Sequence, residues 1–435
     1  MRIKLEDAVE QILDSVRVTE KSEKVGIYRA GGRILSSDYM ARYNQPPFDR
    51  SPLDGYAMAH ESLAGASEET PAILPVSMHI FAGDVNVGAL PRGTAARIMT
   101  GAMIPDGADC VIRQEFTDLG EERVQIYKEL KAHDNICDKG EDVGQGMIIA
   151  RRGEVVTHAE AALLAGQGNW EVKAYKALSV GIVSTGSELV VGDTLMPGQI
   201  FNSNGPMVAL RLHELYMHSR EVCVDDEPVK IRRHIEDMLK VCDAVITTGG
   251  VSVGDKDYMP QVLEEMGAEF VIRGVAMKPG GPVTVASFEG KLIFALSGNP
   301  FAALATLELI ALPALLKQQG CRYYRHRPES ARLMVPYPKI SKGRRFLRGT
   351  YHDGYVVMPG VDSQVSGSIS GLKECNCLID ISPENASVSA GSIVRVFPFL
   401  SLRNDAPMEV KLPLAECVYG ERRAAGSNPS YTSSW

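Results

Sequence analysis

The sequence predicts a multidomain α/β plus β protein, in which a central doubly wound α/β domain has mostly-β segments before and after it. Three observations carry this prediction. From Ala177 onward, short apolar runs (LSVGIVSTG, DAVITTGG, KLIFALSG) end in glycine turns and give way to helical patterns, as parallel strands buried on both faces do. The helices between them are expected at 206–216, 228–241, 258–266 and 300–317. Three of them open on Pro206, Pro228 or Pro300, where a missing N–H is no loss. On either side the texture is rich in β-branched residues and turn signals.

Taken in order, the chain starts with Leu5, Val9, Ile12, Leu13 and Val16 at helical spacing, which predicts an amphipathic helix rather than a secretory leader. The runs AILPVSMHIFAGD, GTAARIM, DCVIRQE, RVQIYKEL and MIIARRGEVV, broken by turns, read as one or two β domains up to about residue 175. After Cys321 the pattern returns to β with ARLMVPY, a hairpin RFLRGTYHDGYVVM turning at Asp353-Gly354, and IVRVFPFL. The tail from about Arg423 is expected to fray.

With 435 residues and about 150 per domain, the chain holds several cores. Lys+Arg of 46 against Asp+Glu of 54 leaves a net charge of −8, so no basic excess points to nucleic acid. Eight scattered cysteines without a CxxC pair predict reduced thiols and a cytoplasmic protein. The apolar stretch 301–316, interrupted by Glu308 and Pro313, reads as too short for a membrane core of about 30 Å, so no membrane partner is expected.

Chemistry concentrates where strands meet glycine turns. In DAVITTGGVSVGDKDYM, residues 243–259, an apolar strand runs into Gly249 and Gly250, then Ser252, Gly254, Asp255 and Asp257. Bare glycine amides at a helix start receive anions, and carboxylates beside a phosphate call for a bridging Mg²⁺. The other reading is a plain turn with acidic cap residues. Ser297-Gly298-Asn299-Pro300 is either a second anion pocket or a well-made helix cap, with Asn299 at N-cap. VSTGSEL (183–189), with Thr185, Gly186 and Glu188, adds a third turn at the same edge, which favours one shared cleft. In MKPGGPVTV, Lys278 precedes Pro279 and Pro282 and reads either as a point charge for an oxyanion or as an exposed loop lysine. QPPFDRSPLDGYAM, with Asp49 and Asp54, and RIMTGAMIPDGADCVIRQE, with Thr100, read as loops built for shape or as solvated turns. No catalytic triad, HExxH or nucleophile elbow is present.

PPFDRSPLDGYA, RIMTGAMIPDGADCVI, NICDKGEDV, GIVSTGSEL, IFNSNGPM, ITTGGVSVGDKDY, MKPGGPV and LSGNP, in this order over residues 1 to about 400, resemble the molybdopterin molybdenumtransferases, the bacterial MoeA and gephyrin E-domain family. The resemblance implies an elongated N-terminal domain I from residues 1–45 and 135–176, a mostly-β domain II at 46–134, and an α/β molybdopterin- and nucleotide-binding domain III at 177–320. It further implies a β-barrel-like domain IV at 321–405 and a partly disordered tail at 406–435. The implied reaction inserts molybdate into adenylylated molybdopterin with Mg²⁺-dependent release of AMP. The implied site has Gly249, Gly250, Ser252 and Gly254 on phosphate, with Thr185, Gly186, Pro279, Pro282, Gly298 and Asn299 around the pterin nucleotide. Asp225 or Asp226 and Asp257 would hold Mg²⁺, and Glu188 and Asp142 would shape the site. Lys278, Ser297 and Arg348 would meet the oxyanion, with Ser366 or Ser368 near it. A homodimer is implied, with Asp54 and Thr100 of one subunit facing domain III of the other; the upstream adenylyltransferase and molybdoenzyme chaperones are further implied partners.

The chain departs from the family at three places. Gly281 stands where a second lysine is common, Cys137 where arginine is common, and ECNCLIDI replaces a run of small residues. A tungstate-inserting variant, a scaffold or regulatory member of the family, and an adenylyltransferase acting one step earlier are the alternatives.

Overall fold

The computed structural model describes residues 2–85, 87–250, 258–340, 343–360, 364–383 and 387–404. The tail expectations, and those on Ser252, Gly254, Asp255 and Asp257, lie outside the described residues.

The apolar runs after Ala177 become a six-stranded sheet in the order His218–Val224, Ser179–Thr185, Ala244–Thr248, Lys291–Leu296, Thr284–Phe288, Glu269–Arg273. The first four strands are parallel neighbours, with Val183 beside Thr247 and Thr248 beside Leu296. Every residue of Ala244–Thr248 is buried, because helices cover both faces. Ile231, Ile235 and Leu239 of Pro228–Val241 and Val262 and Leu263 of Met259–Glu265 fill one side. Val208 and Leu212 of Asn204–Glu214, Ile12 of Leu5–Ser15 and the long helix after Pro300 fill the other. This is the expected doubly wound layering.

One part of the sheet departs from the expected parallel pattern. Thr284–Phe288 runs antiparallel to both neighbours; toward Lys291–Leu296 this follows from the Glu289-Gly290 turn, with φ of +50° and +76°, since a two-residue turn of this kind joins antiparallel strands only. The helix expected at 300–317 forms at Pro300–Gln318, and only the reading of this stretch as too short for a membrane is corrected. The helix continues through Pro313 to Gln318 with a π-helical turn at Leu307–Ala311, a local widening that accommodates a proline where a regular helix would break. At 19 residues it is apolar and long enough to cross a membrane by length and composition, yet 89% of its apolar window is buried inside the protein.

Upstream, a five-stranded sheet has the order Cys110–Arg113, Gly55–Met58, Ala95–Ile98, Ala72–Ile80, Arg123–Ile126. Two short ribbons pair Ser22–Gly26 with Glu171–Tyr175 and Tyr39–Met40 with Ile148–Ala150. Downstream, a closed barrel is formed by Glu329–Leu333, Tyr355–Val357, Arg345–His352, Cys377–Ile381 and Ile393–Pro398. Its hairpin turns at Asp353-Gly354, with φ of +47° and +81°, the left-handed pair that an Asp-Gly turn supplies. Cys377–Ile381, within the run that departs from the family, is a barrel strand with Cys377, Leu378, Ile379 and Ile381 buried. The seven described cysteines are free thiols.

Candidate functional site

Three glycine turns meet where adjacent parallel strands finish. Gly249 N–H donates to Leu296 O at 3.1 Å, and a Cβ on Gly298 would lie 3.4 Å from Gly249 Cα. Gly249 has φ of +104°, and a Cβ there would collide with Thr185 O. Glycine is required because three backbones share one small space. Around them, polar atoms are left open: Thr185 Oγ1, Thr247 Oγ1 and Asn204 Oδ1 are buried with no hydrogen-bond partner among the described residues. Buried polar atoms are normally satisfied, so three orphans at one strand edge mark a place for a ligand. Asn204 also donates from Nδ2 to Gly298 O at 2.7 Å. In the sequence Asn204 stands out only as part of IFNSNGPM; its i-to-i+94 partner lies beyond any local pattern.

Asn299 sits at the N-cap of the helix that follows, but its side chain makes no cap hydrogen bond. The first turn is satisfied from outside instead: Phe301 N–H donates to Ser366 O at 3.0 Å. Ser297 Oγ accepts from Asn299 N–H at 3.3 Å. The barrel segment bearing Ser366 is thus docked on this strand end.

Acids flank the first turn. Asp226 Oδ2 accepts from Ser187 N–H at 3.3 Å, and Asp226 N–H donates to Ser187 Oγ at 3.2 Å. A Cβ on Gly186 would be 2.8 Å from a Glu188 carboxylate oxygen, so two carboxylates border one turn. Asp225 instead forms an ion pair with Lys230 at 2.8 Å. No group of three His, Cys, Asp or Glu among the described residues is placed to hold a metal by itself. One or two carboxylates beside a phosphate cradle nevertheless suit Mg²⁺, which keeps water and phosphate oxygens as its other ligands; Asp226 and Glu188 fit that role.

A second cleft, of about 320 Å³, lies between the 277–282 loop and the barrel, and Lys278, Pro279, Lys339, Arg345 and Ser366 are among its lining residues. Main-chain bonds hold this loop to the barrel strand: Lys278 N–H donates to Arg344 O at 3.0 Å and Phe346 N–H to Lys278 O at 2.7 Å. Gly280, with φ of +82°, lies against Thr306, and Pro282 O accepts from Thr284 Oγ1 at 3.3 Å. The missing side chain at Gly281 is matched by an intruder, since a Cβ there would lie 2.6 Å from Arg2 Nη1.

Arg348 is placed differently from its expected oxyanion role. Its side chain is 0% exposed, and its guanidinium donates to Ser368 O at 2.6 Å and Val365 O at 2.9 Å. It also stacks 4.4 Å from the Phe301 ring centroid. Burial away from water lowers its pKa. With two donors committed to main-chain carbonyls, Arg348 fixes the 365–368 segment.

The N-terminal motifs form a separate assembly. Thr100 donates from N–H and hydroxyl to Asp54 Oδ1 at 2.8 and 2.7 Å, and these bonds hold the Asp54 carboxyl below the usual carboxylate range. Asp49 accepts from Lys139 N–H at 2.7 Å, and Arg50 pairs through its backbone with both Met103 and Cys137. Asp142 is exposed, with its N–H on Gln45 O at 3.0 Å. Size is a poor guide to chemistry in this molecule. A larger cavity, of about 740 Å³, is lined by Tyr28, Trp170 and small apolar residues, with His158 beside them.

Comparison with known proteins fits this layout. Residues 3–168 match the family described as MoeA N-terminal region (domain I and II), 181–317 match "Probable molybdopterin binding domain", and 330–399 match MoeA C-terminal region (domain IV). A Staphylococcus aureus protein named molybdopterin molybdenumtransferase is 35% identical over 404 residues, covering 91% of this chain and 95% of its own. The chain belongs to the molybdopterin molybdenumtransferase family. A Staphylococcus epidermidis relative of the same name has the same identity and coverage. The crystal structure of a molybdopterin biosynthesis MoeA protein from Pyrococcus horikoshii shares 30% identity, with a TM-score of 0.78 over 92% of this chain and all of that one. Family membership places the chain among the transferases of molybdenum cofactor biosynthesis, and all three glycine turns fall inside the matched molybdopterin-binding region.

Proposed function

We propose that the chain takes adenylylated molybdopterin and molybdate as substrates and yields metal-loaded molybdopterin and AMP. The observation that carries this is the strand edge, where three glycine turns converge with the Thr185 and Thr247 hydroxyls, unpartnered among the described residues, with a cation-lined cleft formed by the next loop and the barrel. Main-chain N–H groups of Gly250 and Gly298 receive the phosphates, while those of Gly186 and Gly249 hold the turns to Val224 O and Leu296 O. Asp226 and Glu188 would hold Mg²⁺, which would supply positive charge beside the pyrophosphate link. Lys278, with Ser297 and Ser366 near it, attracts the oxyanion, and Arg348 fixes the barrel segment that closes over it.

In the net reaction two S–H bonds give way to two metal–sulfur bonds, two molybdate oxygens leave as water with the two thiol protons and two more from solvent, and one water is consumed in opening the P–O–P bond. The protein's part is positioning and charge compensation. The chain works in the cytoplasm as a homodimer, with Asp54 and Thr100 of one subunit facing the α/β domain of the other.

The test is to incubate the full chain with Mg²⁺, adenylylated molybdopterin and molybdate. AMP release in step with metal incorporation is expected, with Asp226→Asn raising the Mg²⁺ requirement. Pyrophosphate formed from ATP and molybdopterin would assign the earlier adenylyl transfer instead.

A further inference from the structure

The amino-terminal end of the central strands, opposite the glycine turns, carries a polar cavity of about 470 Å³ that the proposed reaction does not use. Three strands begin beside it: Ser179–Thr185, His218–Val224 and Ala244–Thr248. The chain crosses twice between these strands and the ribbon of Ser22–Gly26 with Glu171–Tyr175, and each crossing brings a lysine to the cavity, Lys21 and Lys176. The ribbon pairs Ser22 with Tyr175, and its register carries on by one residue, since Lys176 N–H donates to Lys21 O at 3.0 Å. The two lysines therefore stand opposite one another. Arg220, from the second strand, adds a third cation to the lining.

Charge is unbalanced here. Asp243 is the one acid among the described lining residues, and it is already committed: one oxygen pairs with Lys21 at 2.9 Å and the other accepts from Ser179 N–H at 2.9 Å. Lys176 and Arg220 are exposed and have no ion pair among the described residues. Like charges directly opposite on paired backbone repel and destabilise, so this arrangement leaves a positive field that an anion would relieve. Thr19, Ser179 and Ser219 add hydroxyls to the lining. Ammonium, guanidinium and hydroxyl donors together are what phosphate oxygens take, and the volume falls in the range of about 300–1,000 Å³ that holds small molecules.

We propose that this cavity binds a phosphate dianion, free or carried on a small phosphate ester, between Lys21, Lys176 and Arg220, and that the bound anion ties the ribbon to the central sheet by cancelling the repulsion between the facing lysines. The site stands apart from the strand edge and does not depend on the proposed reaction.

Calorimetric titration of the full chain with glycerol 3-phosphate tests this, with sodium phosphate as the free anion and sodium chloride at matched ionic strength as the blank. Saturable binding is expected, with slower hydrogen exchange at the Lys176 and Asp243 amides, which donate to Lys21 O and Ser179 O. Lys176→Gln and Arg220→Gln are each expected to weaken binding about tenfold, with Arg220→Lys recovering part of the loss. Both side chains are exposed, so the variants leave folding intact. Tighter binding of glycerol 3-phosphate than of phosphate assigns the site to an ester, and the reverse order assigns it to the free anion. Absence of saturable binding overturns the proposal, as does unchanged affinity in the Lys176→Gln, Arg220→Gln double variant with a native melting temperature. Binding that is lost in Gly249→Ala and kept in that double variant would put the anion at the strand edge and overturn it too.

Discussion

The strand edge of the central sheet and the N-terminal loop assembly are both built from glycines, prolines and acids, yet they handle hydrogen bonds in opposite ways. In the N-terminal assembly the acids are closed on their own surroundings: Thr100 satisfies Asp54, and Lys139 N–H satisfies Asp49. At the strand edge Thr185, Thr247 and Asn204 have buried atoms with no hydrogen-bond partner among the described residues. A loop whose polar groups are satisfied internally holds a shape, whereas one whose polar groups are left open has room for a ligand's atoms. Composition alone does not distinguish the two; the pairing does.

The sharpest way to break that contrast is through Arg348, the group that joins the barrel to the strand edge. Arg348→Met leaves Val365 O and Ser368 O without their donor, at an expected cost of about 3 kcal/mol in urea unfolding, together with loss of activity. A stability change near zero would mean that the 365–368 segment is held by something else. Gly249→Ala attacks the open edge directly. The added Cβ meets Thr185 O at a φ of +104°, so about 1–3 kcal/mol of strain is expected, with at least a tenfold weaker affinity for AMP. Full AMP affinity in this variant would separate nucleotide binding from the glycine turns.

The smallest effect belongs to the closed assembly. Thr100→Val removes one of the two bonds to Asp54, for about 0.5–1.5 kcal/mol. Because those bonds lower the Asp54 carboxyl pKa, their contribution is present above the ordinary carboxylate range of about 4 and is lost as pH falls through the lowered value. Thr100→Val therefore flattens the acid limb of the stability curve, and a variant curve parallel to the parent below pH 4 would show that Asp54 draws its low pKa from elsewhere.

Much of the fold is legible because its signals are local. The buried parallel strands show as continuous apolar runs, the helix at Pro228–Val241 opens on its proline, and the Asp353-Gly354 pair announces its hairpin. The Glu289-Gly290 hairpin is hidden because the apolar run after it looks like any parallel strand, and only its partner reveals the direction. Cys377–Ile381 is hidden because nearly every residue is buried, so the alternation that marks a half-exposed strand is absent. Of the site, the glycine turns and Lys278 can be picked out from the motifs that contain them, whereas Asp226 enters only with the family resemblance, undistinguished there from Asp225. Asn204 lies within IFNSNGPM, but its bond to Gly298, 94 residues on, leaves no trace in the motif.

The amino-acid sequence by itself determined where the chain turns, which runs are buried, and that glycine turns follow the central strands, because these depend on side-chain size and φ freedom within a few residues. Tertiary structure alone decided which acids are neutralised, that Arg348 is enclosed while Arg345 faces a cleft, and that Arg2 fills the gap at Gly281. Those outcomes depend on contacts between segments tens to hundreds of residues apart, where burial and charge are set by whichever surface the fold brings alongside.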